Sequence, residues 1–169
     1  MSTLAHAIDA AALCKQPDGK RQSHQRRIPR LTLEESRQRL REMLPALRTV
    51  RSFGELYDIV GSTIRDIPGI GELTVYDTAV CIGWHLDIHP TEVYLHRGTR
   101  AGAKELDFNG SQQTVRVDEL PAGLRILTPG EIEDVLCIYK DAMASIRVGL
   151  DPELSPSTGC QPEARRRTC

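Results

Sequence analysis

The 169-residue chain lacks several features that would assign it to a familiar class of protein. It has no apolar run of about 18 or more residues, which excludes a transmembrane helix. Residues 1–12 lack the basic-then-apolar order of a secretory signal. None of the five cysteines forms a C-x-x-C pair, and their spacing does not indicate a disulfide framework. We therefore expect a cytoplasmic protein that makes no contact with a membrane.

The short motifs of common enzyme classes are also missing. The sequence contains no phosphate-binding loop, no Gly-x-Ser-x-Gly nucleophile elbow and no His-Glu-x-x-His zinc motif, so nothing supports a hydrolase or a nucleotide-binding enzyme. Cys81, His85 and His89 recur at intervals of four residues. Eight residues span about 12 Å along a helix, which is too far for one metal ion. We expect no metal and no cofactor.

The charge is balanced overall but unevenly distributed. The chain has 22 basic and 23 acidic residues and a net charge of −1, which excludes a uniformly basic nucleic-acid coat. Residues 1–30 carry +4 (six basic, two acidic), residues 31–148 carry −5 (13 and 18), and residues 149–169 carry zero (three and three). The basic excess of residues 1–30 either reaches a polyanion or is simply solvated, and the sequence leaves both open.

The two ends of the chain lack apolar periodicity. We expect residues 1–30 to be a basic, largely disordered N-terminal arm and residues 149–169 to be a disordered tail, because neither can bury enough apolar surface to offset its ordering entropy. Removing residues 1–28 and 151–169 is then expected to leave the melting temperature nearly unchanged.

Residues 31–148 are expected to form one mainly α-helical, compact domain. Predicted capping boxes at Thr32, Ser52 and Thr128 each precede apolar residues at helical spacing. The segment 72–86 is predicted to be the most buried helix, and residues 108–127 are predicted to be irregular or β-like. On a predicted helix over 96–106, Gly98 and Gly102 leave a flat strip that another backbone can approach closely.

The segment Ile67-Pro68-Gly69-Ile70-Gly71, between two predicted helices, is the most specific motif. Two glycines permit a tight turn with unusual backbone angles and leave no side chain in the way. A buried Ile70 would anchor the turn to both helices. The N-terminus of the next helix would then present backbone N–H groups that can bind a phosphate oxygen.

This segment resembles the helix-hairpin-helix motif, and the order of features that follows is similar to that of the DNA glycosylases of the helix-hairpin-helix superfamily. The resemblance covers about Phe53–Leu106. It implies a scaffold that contacts DNA phosphates. The blocks Val93–Ala103 and Ile132–Asp141 also resemble parts of uncharacterised bacterial proteins, a resemblance that carries no known activity.

The resemblance and the residue spacing together predict two groups of DNA-binding residues. The hairpin group would hold one phosphate, and a basic face of the predicted helix over 96–106 would hold neighbouring phosphates. Residues at i, i+3 and i+7 share such a helix face. The predicted residues are Gly69, Ile70, Gly71 and Thr74 in the first group and Arg97, Arg100 and Lys104 in the second.

Two departures from the glycosylase pattern bear on catalysis. Leu73 occupies the position of the Schiff-base lysine of bifunctional glycosylases, and Tyr94 occupies that of the family aspartate. We therefore expect a non-enzymatic or weakly enzymatic DNA-binding protein. Two alternatives stay open: a protein-interaction module built on the same helices, and a divergent glycosylase-like or nuclease-like enzyme whose acid is Asp77 or Asp87.

Overall fold

The structure, a computed structural model, describes residues 3–15, 20–21 and 25–147. The described residues are mainly helical, with one short two-stranded sheet, so the predicted fold class is confirmed. None of the helices within these ranges is both long and apolar enough to cross a membrane. Valine 148 and the predicted tail over 149–169 lie outside the described residues.

The chain divides between His89 and Pro90 into two compact units, the N-terminal unit (residues 3–89) and the C-terminal unit (residues 90–147). This differs from the single domain expected over 31–148. The division follows the end of a long helix at Asp87, which adopts a left-handed conformation with φ 58° and so cannot continue the helix.

The N-terminal unit contains five helices in the part of the chain that is described. They are α1 (Leu4–Ala12), α2 (Arg30–Glu42), α3 (Leu44–Leu47), α4 (Phe53–Ile64) and α5 (Glu72–Leu86). The four longer helices contact one another in the cyclic order α1, α5, α4, α2. Helix α5 is buried almost continuously from Thr74 to Gly83, as predicted for the central helix.

Helix α1 corrects the prediction of a largely disordered N-terminal arm. Thr3 caps it by accepting a hydrogen bond from the His6 N–H (3.3 Å). Leu4 and Ile8 are buried against the unit, and Asp9 forms an ion pair with Arg41 of α2 (Nε to Oδ1, 2.7 Å). The helix is short and Ala-rich, and tertiary packing of one apolar face rather than intrinsic propensity stabilises it.

Helix boundaries follow the predicted caps at Ser52 and Thr128 but not at Thr32. Ser52 accepts from the Glu55 N–H (3.2 Å), and Thr128 forms a full capping box with Glu131. Helix α2 instead begins at Arg30 after Pro29, because a proline fixes a backbone angle suited to a helix start. Thr32 is therefore inside α2.

In its described part, the C-terminal unit contains β1 (Val93–Tyr94), α6 (Arg97–Glu105), β2 (Thr114–Val115), α7 (Pro129–Ile138) and α8 (Met143–Arg147), with 3-10 turns over Val117–Glu119 and Lys140–Ala142. Helix α7 packs on the strand pair, and α6 packs on α7. The strands are antiparallel and pair Val93 with Val115. This confirms the β-like segment within 108–127.

Close packing of α6 on α7 confirms the glycine strip. A Cβ atom at Gly98 would lie 2.5 Å from the Cys137 Sγ, and one at Gly102 would overlap the Leu136 carbonyl oxygen. Both glycines are needed because a side chain at either position would separate the two helices. The core beneath them includes Val93, Leu95, Leu106, Val115, Leu120, Ile132 and Leu136.

Candidate nucleic-acid interface

The hairpin Ile67–Gly71 joins α4 to α5 in the arrangement that the sequence predicts. Ile67 and Ile70 are 2% and 8% exposed, so both apolar side chains anchor the turn. Backbone hydrogen bonds from the Ile67 N–H to Ile64 and from the Ile70 N–H to Ile67 close two tight turns. Pro68, Gly69 and Gly71 are exposed, which leaves the outer edge of the hairpin open to a ligand.

The two glycines have different roles. Gly69 has φ +94°, a conformation that L-residues with a side chain rarely adopt. Gly71 is extended (φ −107°) and is the N-cap of α5, and a Cβ atom there would meet nothing within 4 Å. The conformational requirement for glycine therefore lies at Gly69. At Gly71 the missing side chain leaves open space next to the first turn of α5.

The charges around the hairpin are partly cancelled. Asp66, just before the turn, forms a bidentate ion pair with Arg39 of α2. On the other flank the Arg65 guanidinium lies 5.8 Å from the centre of the Tyr57 ring. The pKa of Tyr57 is raised, mainly by burial. Arg65 opposes this rise and Glu72 adds to it, so a cation and an acid flank that ring. Arg65 is the exposed basic side chain closest in sequence to the turn.

Thr74, which the sequence predicts as a phosphate contact, lies in a buried hydrogen-bond network. It is 6% exposed, and its hydroxyl donates to the Gln25 Oε1 (2.9 Å), while the Gln25 Nε2 donates to the Asp77 Oδ2 (2.8 Å). These three buried side chains satisfy one another across 49 and 52 residues of sequence. The sequence carried no signal for Gln25, because its partners become neighbours only in the folded unit.

Asp77, one of the two candidate catalytic acids, lies in this buried network. It also faces Cys14, whose pKa is raised to about 12 by burial first and by Asp77 second. Cys14 is thus held as a protonated thiol near neutral pH. The other candidate acid, Asp87, is a fully exposed side chain at the C-terminal end of α5, 3.3 Å from His89. The structure does not bring the two acids together with the hairpin glycines as one group.

The predicted basic face belongs to α6 in the C-terminal unit, whereas the hairpin belongs to the N-terminal unit. Arg97 and Lys104 are exposed. Arg100 points to backbone instead, because its guanidinium donates to the carbonyl oxygens of Leu95 (2.5 Å), Gly110 (2.6 Å) and Gln112 (2.8 Å). Arg100 therefore has a structural role that the sequence did not predict.

Substituting Arg100 is expected to destabilise the protein rather than to change its salt-dependent binding. Arg100→Ala removes charge-assisted hydrogen bonds to three carbonyl groups, a loss of about 1.5–3 kcal/mol in the free energy of unfolding. Urea denaturation followed by circular dichroism measures the change. Arg97→Ala, on the exposed side of the same helix, is the control and should be nearly neutral. Equal stability of the two variants would refute the structural role of Arg100.

A buried acid–base pair that the sequence did not indicate connects α6 to α7. The His96 Nε2 lies 2.6 Å from the Glu133 Oε1, and their side chains are 7% and 1% exposed. The His96 Nδ1 accepts the Gly98 N–H (3.2 Å), and the Thr99 hydroxyl accepts the His96 N–H. Because Nδ1 accepts, we assign the ring proton to Nε2, which donates to Glu133.

The described residues contain no group of three or more His, Cys, Asp and Glu side chains that could hold a metal ion. In the spaced set, Cys81 and His85 lie on α5, whereas His89 follows the end of that helix at Leu86. The His89 ring packs on Trp84, with the ring centres 4.4 Å apart. Cys14 is a buried free thiol.

Comparisons of the chain with protein-family models, with curated proteins and with solved structures found no match.

Proposed function

We propose that this protein binds DNA through the phosphate backbone at the hairpin Ile67–Gly71, without strong sequence preference. One observation carries the proposal: a turn anchored by two buried isoleucines presents an N-cap glycine with open space in front of it. The partial positive charge of the helix N-terminus and its backbone N–H groups favour an anion at that place.

Most of the contacts that we propose are made by the protein backbone of the hairpin with phosphates of the DNA. Gly69, Ile70 and Gly71 form the turn that a phosphate would meet, and Arg65 is the nearby side-chain cation. Backbone contacts of this kind position a protein on DNA but read no bases, so binding would not discriminate between sequences. Arg97 and Lys104 are exposed and stay candidates for additional phosphate contacts.

Gly71→Ala is the sharpest test of this function. The new methyl group meets no protein atom, so the stability cost should be limited to the poorer N-cap preference of alanine, about 0.5–1 kcal/mol. It would occupy the space where we place the phosphate oxygen, and losing one charge-assisted hydrogen bond should weaken binding by about tenfold or more. Fluorescence anisotropy with a labelled duplex of arbitrary sequence measures the affinity.

Gly123→Ala is the matched control, because a Cβ atom there also meets nothing within 4 Å and the site is in the C-terminal unit. Glu72→Gln is a second arm: removing an acid from the first turn of α5 should tighten binding, most clearly at low salt. If the parent protein shows no salt-dependent binding to duplex DNA, the proposal fails in favour of the protein-interaction module.

A further inference from the structure

Helix α2 contacts the hairpin through one arginine that bridges two acids. The Arg39 Nη1 donates to both carboxylate oxygens of Asp66 (2.8 and 2.9 Å) and to the Thr63 carbonyl oxygen (3.4 Å). The Nη2 of the same side chain donates to the Glu35 Oε1 (2.6 Å). A planar guanidinium can hold two carboxylates in fixed directions in this way, whereas a lysine ammonium cannot.

A second contact fixes the other side of the turn. The Thr32 hydroxyl, on the first turn of α2, donates to the Pro68 carbonyl oxygen (3.4 Å). Asp66 and Pro68 flank the buried Ile67, so α2 contacts the chain on both sides of this anchor. The orientation of the exposed edge of the hairpin is therefore set by α2 as well as by α4 and α5.

The same arginine controls the charge next to the turn. The pKa of Asp66 is lowered by the hydrogen bonds from Arg39, so this carboxylate is ionised throughout the neutral range. The hydrogen bonds that Arg39 donates, first to Asp66 and then to Glu35, raise the pKa of Arg39. An unpaired carboxylate at Asp66 would repel a phosphate arriving at the hairpin, and the guanidinium cancels that charge.

We infer that Arg39 is a positioning residue for phosphate binding: it fixes the hairpin against α2 and neutralises Asp66. The inference rests on the proposed DNA-binding function. It concerns a residue outside the resemblance to helix-hairpin-helix proteins, which begins at about Phe53. Arg39 itself need not touch the DNA.

The test compares Arg39→Gln with Arg41→Gln. Both variants remove one positive charge from α2. Arg39→Gln breaks the ion pairs with Glu35 and Asp66, whereas Arg41→Gln breaks the ion pair with Asp9 of α1. Arg39→Gln should weaken duplex binding by roughly threefold at low salt, as for a unit charge about 6 Å from a phosphate in a water-like dielectric. The effect should fade at high salt. Arg41→Gln should bind like the parent.

Asp66→Asn separates the charge effect from a loss of structure. It removes the carboxylate next to the hairpin and leaves Arg39 paired with Glu35 alone, so it should tighten binding by roughly threefold at low salt. The double variant Arg39→Gln/Asp66→Asn should recover the affinity that Arg39→Gln loses. A purely structural role predicts instead that Asp66→Asn and the double variant bind more weakly than the parent, and that result would overturn the inference.

Amide hydrogen exchange tests, in the absence of DNA, whether Arg39 fixes the hairpin against α2. Exchange over residues 69–72 should be faster in Arg39→Gln than in Arg41→Gln, because only the first variant removes the contacts of Arg39 next to the hairpin. If the parent binds no DNA but the exchange difference is present, the proposed function fails, while the structural contact of Arg39 with the hairpin region is confirmed. If the parent binds DNA while Arg39→Gln and Arg41→Gln match in both affinity and exchange, the inference alone fails.

Discussion

Glu133→Ala is expected to lower the free energy of unfolding by about 3–5 kcal/mol, because removing one member of a buried pair leaves the other without its partner. Glu133 is 1% exposed, and its carboxylate lies 2.6 Å from the Nε2 of His96, which is also buried. The substitution also leaves a cavity between α6 and α7 that the backbone contact at Gly102 prevents from closing. Denaturant unfolding measures the loss.

Glu133→Gln and Glu105→Ala are the controls for this prediction. Glutamine keeps an oxygen that can accept the His96 Nε2–H, so its cost should be only about 1–2 kcal/mol. Glu105 is exposed on α6, and its loss should be nearly neutral. If Glu133→Ala were as stable as Glu105→Ala, the buried pair would make no contribution to folding.

Removing residues 1–12 is expected to destabilise the N-terminal unit by about 3–6 kcal/mol, since fully burying an aliphatic side chain contributes about 1.5–3 kcal/mol and α1 buries both Leu4 and Ile8. This is the opposite of the result expected from composition alone. The truncation also removes Asp9, the partner of Arg41. Thermal unfolding of the shortened and full chains measures the difference.

Two point variants check that the effect comes from packing rather than from chain length. Ile8→Ala should cost about 2–5 kcal/mol, as for other buried aliphatic residues. His6→Ala, on the exposed side of α1, should be neutral within about 0.5 kcal/mol. A full-length Ile8→Ala protein that unfolds with the parent would show that α1 is not part of the folded unit.

The features that the sequence predicts well are those encoded by neighbouring residues. The caps at Ser52 and Thr128 depend on residues three apart, and the glycine strip of α6 depends on residues four apart. The hairpin is of the same kind, because its glycines and isoleucines lie within five consecutive positions. Local spacing is sufficient for these features, since backbone geometry fixes which groups meet.

The features that sequence reasoning missed all need partners that are distant along the chain. Arg100 fits a solvated basic face equally well until the backbone carbonyls of Gly110 and Gln112 are placed beside it. The structural roles of Thr74 and His96 likewise depend on their partners Gln25 and Glu133, which are 49 and 37 residues away. Helix α1 was missed because composition reports the average polarity of residues 1–30 and not the one apolar face that packs.

The contact between α1 and α5 has a consequence for the order in which the chain folds. Ala12 and Glu72, the facing ends of these two helices along the sequence, are 60 residues apart. During synthesis α1 emerges first, yet its principal partner is completed only after α2, α3 and α4 have been made. Closing so long a loop costs entropy before any contact repays it. Docking of α1 on α5 is therefore expected to be a late step, and the part of α1 that packs on α5 stays uncovered on the nascent chain until α5 has left the ribosome.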